Sequence, residues 1–179
     1  MNDMTRSPQL SFDGARIRLR PLEKADAGLI EMHASDPRVA KMTLAIPHPL
    51  PPGATEAVIA RAQDPSREQD IWAIDASANG GSEVVGLIGL KRLDQEKSEI
   101  MYWVAPAFWN NGTASDAVDT LLAANPLGNT TIFASVFQDN PASARVLTNA
   151  GFDYIGDAET FSVSRGAKAA TWTYLRKLS

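Results

Sequence analysis

A glycine that opens a helix directly after a strand is the first feature of this chain that could do chemistry. Residues 99–104 are β-branched and aromatic and have the length of a strand, and the residues after Gly112 have helical periodicity. Backbone N–H groups at the start of a helix lack partners within the helix, and the helix dipole is positive there. The pattern predicts a phosphate site, to which the Thr113 hydroxyl could add a donor. A plain crossover with a tight turn is the alternative.

The helix behind Gly112 is predicted from an apolar stripe. Asp116 and Asp119 face away from this stripe, and Asn125-Pro126 ends the helix. The stripe has the spacing i, i+3, i+4, i+7 and i+8 and consists of Ala114, Ala117, Val118, Leu121 and Leu122.

Strands are expected on both sides of this helix. Residues 71–75, 84–90 and 100–104 should form an antiparallel meander. The strand at 131–136 should run parallel to 100–104, because an ordinary crossover through the helix connects them. In residues 16–20, apolar side chains alternate with three arginines, and we interpret this as an edge strand protected by charge.

A second helix and a hairpin complete the chain. Asn140 is predicted as the N-cap, Pro141 as the first helical residue and Gly151 as the C-terminal cap. Earlier in the chain, a helix is expected over 23–34, ended by Asp36-Pro37, and a short helix over 54–62 after a proline-rich turn. The closing hairpin is expected from strands at 152–155, 159–163 and 170–178.

Composition narrows the class of function. The formal net charge of the 179 residues is −4, without the clustered basic face that nucleic acid or an anionic membrane usually requires. The chain has no cysteine, which excludes disulfides, thiolate metal sites and a covalent cysteine intermediate. His33 and His48 are its only histidines, so no catalytic metal is expected. We expect one domain over 1–179 with residues 1–10 flexible, and a cytoplasmic protein without a signal peptide or membrane span.

The residues around Gly112 resemble a known family. Trp109-Asn110-Asn111-Gly112-Thr113-Ala114 is similar to the acyl-CoA pyrophosphate loop of the GCN5-related N-acetyltransferases (GNAT), whose usual form is Gln or Arg-x-x-Gly-x-Gly or Ala. Tyr102-Trp103 and the Trp that opens the loop resemble the branch that acetylates the N-termini of ribosomal proteins, the RimJ/RimL type.

Two further segments support this resemblance. Residues 16–22, followed by Asp26-Ala27, are similar to the first strand and first helix of that branch. Residues 140–143 with 149–152 resemble its Asn-x-x-Ser…Gly-Phe segment. The three matches come in family order and reach across about residues 15 to 178.

The resemblance implies a fold and a cofactor site. The fold is α/β (α+β), a mixed central sheet of about seven strands with about four helices, in which two central strands splay apart and pantetheine lies in the notch. A backbone N–H near Val104 would polarise the thioester carbonyl. The loop departs from the family in two ways: it has Asn110 and Asn111 where a basic residue is common, and Trp109 where Gln or Arg is usual. The implied binding residues for acetyl-CoA are Tyr102, Trp103, Val104, Trp109, Asn110, Asn111, Gly112, Thr113, Ala114 and Asn140.

The resemblance also implies catalytic residues. Glu99 matches the family's strand carboxylate and is our expected base, its alternative being a solvent-facing strand residue. Leu147 stands where many members have a catalytic tyrosine, and Ser143 matches a serine proposed to protonate the departing thiolate. Ser143 could instead satisfy backbone N–H groups of the first helical turn, and Asn140 could be only a helix cap. We expect Tyr102 and Trp103 to be core and notch wall and not catalysts.

The resemblance implies an acetyl-CoA-dependent N-acetyltransferase that works through a ternary complex, and we expect no metal. The branch resemblance favours a protein N-terminal α-amine as acceptor, while related proteins also acetylate small amines and antibiotics. An acyl-CoA-binding module without turnover is the alternative from another class. The expected partners are acetyl-CoA and the amine, with no nucleic acid or membrane, and the chain as a monomer or homodimer.

Overall fold

The structure, a computed structural model, describes residues 8–178. These residues form five α-helices and eight strands. The helices are α1 (Ala27–Ala34), α2 (Pro37–Lys41), α3 (Ala54–Gln63), α4 (Thr113–Ala124) and α5 (Pro141–Asn149). The strands are β1 (Phe12–Asp13), β2 (Arg18–Pro21), β3 (Gln69–Asp75), β4 (Gly86–Arg92), β5 (Lys97–Val104), β6 (Thr131–Phe137), β7 (Asp153–Ser162) and β8 (Ala167–Lys177).

All eight strands form one mixed sheet in the order β1-β2-β3-β4-β5-β6-β8-β7. Strands β1 to β5 are antiparallel neighbours, β5 and β6 are parallel, and β8 pairs antiparallel with both β6 and β7. The expected meander and the parallel strand after α4 are therefore confirmed. The sheet has one strand more than expected, and the two-residue β1 is its shortest member.

The parallel pair at the centre of the sheet is short. β5 and β6 are in register at only three positions, the last of which is Glu99 opposite Phe133. Beyond that point β5 stays on β4 as far as Val104, and β6 stays on β8 as far as Phe137. The two strands therefore separate at their C-terminal ends, as expected, and leave a notch between 100–104 and 134–137.

Helices cover both faces of the sheet. On one face α4 and α5 pack on β5 and β6, with Ala117, Val118 and Leu121 of the apolar stripe buried and Ala114 half-buried. On the other face Ile30 of α1 and Ile59 of α3 pack on β3 and β4. Because side chains alternate along a strand, neighbouring residues of β5 point to opposite faces of the sheet on either side of the notch.

Two elements differ from expectation. Helix α1 ends before Asp36-Pro37, as expected, but Pro37 also opens α2, where Asp36 caps the helix by accepting from the Arg38 N–H at 2.9 Å. Proline suits this first helical position because its missing N–H would have no partner there. Strand β7 is continuous through 156–158, where we expected a break, and a bulge between Tyr154 and Gly156 accommodates the irregular residues.

The interpretation of three arginines as edge protection is wrong for Arg20. Its guanidinium donates to both carboxylate oxygens of Asp26 at 2.9 Å and to Asp75 at 2.8 Å. Asp26 is only 2% exposed, so this is a buried ion-pair cluster. In addition, β2 is not an edge, because β1 pairs with it.

The expected flexibility of residues 1–10 falls mostly on residues 1–7, which lie outside the described residues. Gln9 and Leu10 hydrogen-bond to β3 through the Ile71 carbonyl and the Trp72 indole, at 2.7 and 2.8 Å. Between residues 8 and 178 no helix is long and apolar enough to cross a bilayer. Over the same residues, no three His, Asp or Glu side chains gather in a way that could hold a metal ion.

Candidate active site

A cavity of about 350 Å³ opens from the notch towards α4 and α5. Its floor is the unpaired end of β5, from Tyr102 to Val104. The loop before α4 forms one wall and the first two turns of α5 form the opposite wall. Val39 and Met42, at α2, contribute to the lining from the other end. The cavity therefore joins the notch to the helix N-terminus that the sequence singles out.

The loop before α4 has two residues in the left-handed conformation. Asn110 has φ 60° and Gly112 has φ 83°. Glycine and asparagine are the residues that adopt this region most readily, which explains their types here. A Cβ built on Gly112 would meet no atom within 4 Å, so conformation rather than crowding within the chain demands the glycine.

Trp109 joins this loop to β5. Its indole N–H donates to the Val104 carbonyl oxygen at 2.6 Å. This bond gives a physical reason for a tryptophan where the family usually has Gln or Arg, because the indole anchors the start of the loop at the notch. Trp109 still exposes 40% of its surface and lines the cavity.

Several backbone N–H groups at the start of α4 have no hydrogen-bond partner in the described part of the chain. They belong to Gly112, Ala114 and Ser115, all of which line the cavity. Asn111 does not line it; its side-chain oxygen accepts from the Thr113 N–H at 3.1 Å and hydroxyl at 2.6 Å. The Thr113 hydroxyl is thus bonded within the loop. The unbonded N–H groups and the helix dipole fit an anion such as a diphosphate.

The floor of the cavity offers unpaired strand backbone. The Ala105 N–H donates to the Val85 carbonyl at 2.8 Å, towards β4. Because backbone groups alternate in direction along a strand, the N–H groups of Val104 and Tyr102 point the other way, into the notch. No β6 residue pairs there. An extended ligand could therefore pair with this edge of β5.

On the opposite wall, the start of α5 is fixed by side-chain bonds. Asn140 is the N-cap, as expected, and its oxygen accepts from the Ser143 N–H at 3.3 Å. The Ser143 hydroxyl does not bond a backbone N–H of its own turn; it donates to the Tyr102 hydroxyl at 2.9 Å. The Tyr102 hydroxyl in turn donates to the Ser143 carbonyl at 3.1 Å. Burial raises the pKa of Tyr102 to about 12, although the hydrogen bond from Ser143 works against this.

Glu99 lies apart from these residues. Alternation along β5 places it on the face of Met101 and Trp103, opposite to that of Tyr102, and it does not line the cavity. Its carboxylate is half-buried and has no hydrogen bond or ion pair among residues 8–178. Burial raises the pKa of Glu99, while the charge of Lys91 across the ladder lowers it.

The family follows from a comparison with known proteins. A family model described as the acetyltransferase (GNAT) domain matches residues 16–153, most of the chain. The chain belongs to this family. GNAT acetyltransferases use acetyl-CoA, and the unpaired strand edge and loop N–H groups are suited to such a ligand.

Named relatives agree with the GNAT family. The uncharacterized N-acetyltransferase YoaA of Bacillus subtilis is 34% identical over 107 residues, 58% of this chain and 59% of that protein. The chain thus spans about 59% of the length of YoaA. The uncharacterized N-acetyltransferase p20 of Bacillus licheniformis is 27% identical over 162 residues, 84% of this chain and 86% of that protein. The family and both relatives support an N-acetyltransferase.

Solved structures share the GNAT fold. RimJ of Mycobacterium smegmatis, in complex with CoA-disulfide, has a TM-score of 0.80 at 18% identity, covering 94% of this chain and 87% of that one. Spermidine N-acetyltransferase from Vibrio cholerae, in complex with CoA and spermine, has a TM-score of 0.74 at 17% identity, covering 92% and 98%.

Most of the expected GNAT site residues meet at one cavity. Two of them, Glu99 and Asn111, do not line it. The residues that do are Tyr102, Trp103, Val104, Trp109, Asn110, Gly112, Thr113, Ala114, Asn140 and Ser143.

The sequence reasoning missed Arg145 of α5. Within residues 8–178 it is the charged side chain that lines the cavity, and no hydrogen bond or ion pair involves its guanidinium. The helical spacing of Ala142, Arg145 and Asn149 places all three on the face towards the loop, and this signal could have found it. The positive charge missing from positions 110 and 111 is therefore present on the opposite wall.

Proposed function

We propose that this protein transfers an acetyl group from acetyl-CoA to a primary amine by direct attack in a ternary complex. The observation that carries the proposal is the cavity at the notch, where unpaired β5 backbone meets the unbonded N–H groups at the start of α4. The β5 backbone N–H groups can polarise a thioester carbonyl, and the N–H groups at the start of α4 can bind a diphosphate. No cysteine is available for a covalent acetyl intermediate, which favours direct attack.

The loop and the notch would hold different parts of acetyl-CoA. The diphosphate would accept from the N–H groups of Gly112, Ala114 and Ser115, and pantetheine would pair with β5 beside Val104. Asn111 and Thr113 would act indirectly, by fixing the loop. The remaining binding residues would be Tyr102, Trp103, Trp109, Asn110 and Asn140.

Glu99 would act as the base. An amine attacks only when neutral, so a protonated acceptor must first lose a proton. A half-buried carboxylate without a partner, with its pKa raised by burial, is a better proton acceptor than an exposed one. Attack on the carbonyl carbon forms the C–N bond, the nitrogen gives its second proton to solvent, and the C–S bond breaks with its electron pair going to sulfur, beside Ser143. Base and leaving group would thus lie on opposite faces of β5.

For the acceptor we propose a protein N-terminal α-amine. The support is the branch resemblance carried by Tyr102, Trp103 and Trp109, all of which line the cavity. An acyl-CoA-binding module without turnover is the second candidate, because Glu99 does not line the same cavity as Ser143.

The deciding experiment is free-thiol release from acetyl-CoA with a panel of acceptors: peptides with free N-termini, polyamines, amino acids and aminoglycosides. The chain has no cysteine, so the protein adds no thiol background. Release with peptides alone supports the proposed acceptor, and release with another class replaces it. CoA binding without release from any acceptor favours the binding module, and absence of CoA binding overturns both.

A further inference from the structure

Tyr102 is a half-buried tyrosine at the notch, to which the proposed function gives no role beyond contact with acetyl-CoA. It lies in the part of β5 that has no β6 partner, opposite Ile88 of β4. Its ring packs on the core of the α4–α5 face, and its hydroxyl reaches α5. The residue therefore joins the floor of the cavity to the wall that carries Ser143.

Ser143 is held by three hydrogen bonds. Its hydroxyl donates to the Tyr102 oxygen at 2.9 Å, its carbonyl accepts from the Tyr102 hydroxyl at 3.1 Å, and its N–H donates to Asn140 at 3.3 Å. A serine hydroxyl in a first helical turn otherwise turns between rotamers and bonds nearby backbone. Here the phenol fixes the hydroxyl at the cavity wall.

This inference rests on the proposed function, in which a thioester sulfur leaves beside Ser143. We propose that Tyr102 is a positioning residue, which holds the Ser143 hydroxyl where it donates a hydrogen bond to the departing sulfur. When the C–S bond breaks, both of its electrons go to sulfur. The Ser143 O–H then turns to the sulfur, and the Tyr102 O–H turns from the Ser143 carbonyl to the Ser143 oxygen.

The sulfur leaves as an anion in this scheme, and neither hydroxyl loses its proton. Burial raises the pKa of Tyr102 to about 12, whereas an ordinary thiol has a pKa of about 8.5. Proton transfer from the phenol to the thiolate would therefore be strongly uphill. Hydrogen bonds to an ionised acceptor are the strong ones, so donation alone stabilises the thiolate. The released thiolate takes its proton from solvent.

The test measures the thiolate of bound CoA by its ultraviolet absorbance over a pH series. The chain has no cysteine, so CoA is the only thiol, and subtracting the spectrum of each variant without CoA at the same pH removes the absorbance of the protein's tyrosines. At a given pH near neutrality we expect about tenfold more thiolate in bound CoA than in free CoA. Tyr102→Phe and Ser143→Ala should each abolish most of this increase, and the double variant should lose no more than Ser143→Ala alone.

The control is Tyr174→Phe, since Tyr174 is buried in the same core but does not line the cavity. Arg145, the charged residue on the cavity wall among residues 8–178, also favours a thiolate, but it is identical in every variant. Turnover should fall about tenfold or more in Tyr102→Phe at an unchanged KM for acetyl-CoA.

Each other result overturns the positioning role. If the increase in thiolate of bound CoA is lost in Ser143→Ala but kept in Tyr102→Phe, Tyr102 only lines the cavity. If it is lost in Tyr102→Phe but kept in Ser143→Ala, the phenol acts without Ser143. Bound CoA with the thiolate content of free CoA refutes the hydrogen bond while leaving the proposed function intact. Absence of CoA binding overturns the proposed function and this inference together.

Discussion

At the scale of single residues, Glu99 shows how burial alone raises the proton affinity of a carboxylate. Its carboxylate is half-buried on a strand, with Lys91 opposite as the one charge that favours its ionised form. Burial disfavours a carboxylate charge and so raises its affinity for protons. A carboxylate that served only as a solvent-facing strand residue would gain nothing from this partial burial.

Replacing Glu99 by Gln should therefore lower kcat by about 10²-fold and leave the Kd for CoA unchanged. In the proposed role Glu99 acts as the ionised carboxylate, so wild-type activity should fall as pH drops through the pKa of Glu99, which burial raises above its usual value. That step should be absent in the variant. Steady-state rates over a pH series measure both effects. Glu96→Gln, an exposed carboxylate just before β5, is the control. An unchanged rate in Glu99→Gln would show that another group is the base.

Arg145 gives a second prediction at this scale. Its guanidinium lines the cavity opposite the loop and has no partner in residues 8–178, so Arg145→Ala should weaken CoA binding about fivefold, or about 1 kcal/mol. The difference should shrink as salt is added, because exposed charges are screened. Titration calorimetry at two salt concentrations measures it. Arg61→Ala, exposed on α3, removes the same charge elsewhere and should leave the affinity unchanged. Equal effects of the two variants would exclude a local contact.

Features of the site that depend on residues close in sequence could be predicted, and contacts between residues far apart in sequence could not. The Asn140 cap and the glycine at the start of α4 depend on neighbours within a few residues, and both are where the sequence predicts them. The bonds between Tyr102 and Ser143 join residues 41 positions apart, and no local pattern encodes them. Arg145 belongs to the first kind, because helical spacing alone would have placed it on the correct face.

At the scale of elements, the loop before α4 determines which way its N–H groups point. Gly112 at φ 83° turns the chain into the helix and leaves open space beyond its Cα. The same conformation occurs at Gly128, φ 61°, in the loop after α4, also with open space. The two glycines thus form a matched pair, one at the cavity and one away from it.

Gly112→Ala and Gly128→Ala should each lower the free energy of unfolding by about 1 kcal/mol, because alanine is strained at positive φ. Only Gly112→Ala should also weaken CoA binding, since its new methyl group enters the space where the diphosphate would lie. Urea denaturation measures the first effect and calorimetry the second. Wild-type affinity in Gly112→Ala would remove the loop from the binding site.

Some boundaries of helices and strands could not be predicted, because the residues there suit more than one local structure. Asp36-Pro37 serves as both a helix end and a helix start, because α1 ends at Ala34 just before it and capping by Asp36 starts α2 at Pro37. Gly156 suits a turn or a bulge, and pairing with β8 decides for the bulge. Only the second of these depends on a tertiary contact, because the Asp36 cap joins residues two positions apart and the bulge forms against β8.

At the scale of the whole molecule, Arg20 holds together the N-terminal half. It bonds Asp26 before α1, Asp75 at the end of β3 and the Glu83 carbonyl before β4. Burial opposes ionisation of Asp75, yet hydrogen bonds from Ser77 and Arg20 hold the pKa of Asp75 below its usual value. A carboxylate of lowered pKa stabilises the fold above its unfolded pKa, and this contribution is lost as pH falls through the folded pKa.

Arg20→Ala should lower the free energy of unfolding by about 3 to 5 kcal/mol at pH 7, because Asp26 would stay buried without a counter-charge. The variant should lose less than wild type on going to acid pH, since Asp75 no longer gains from the pair. Urea denaturation at several pH values measures both. Arg38→Ala, which breaks the exposed pair with Asp36, should leave the midpoint unchanged. A small loss in Arg20→Ala would mean that water replaces the guanidinium.

Because β5 and β6 pair at only three positions, the sheet consists of two halves joined by a short stretch of hydrogen bonds. A ligand that paired with β5 in the notch would supply hydrogen bonds that the chain itself leaves unmade, so binding would complete the fold as well as present the thioester. At 100 times its Kd such a ligand adds about 2.7 kcal/mol of stability. Amide hydrogen exchange should place that gain unevenly, with CoA slowing exchange most at the backbone of 100–104 and least in β1 and β2.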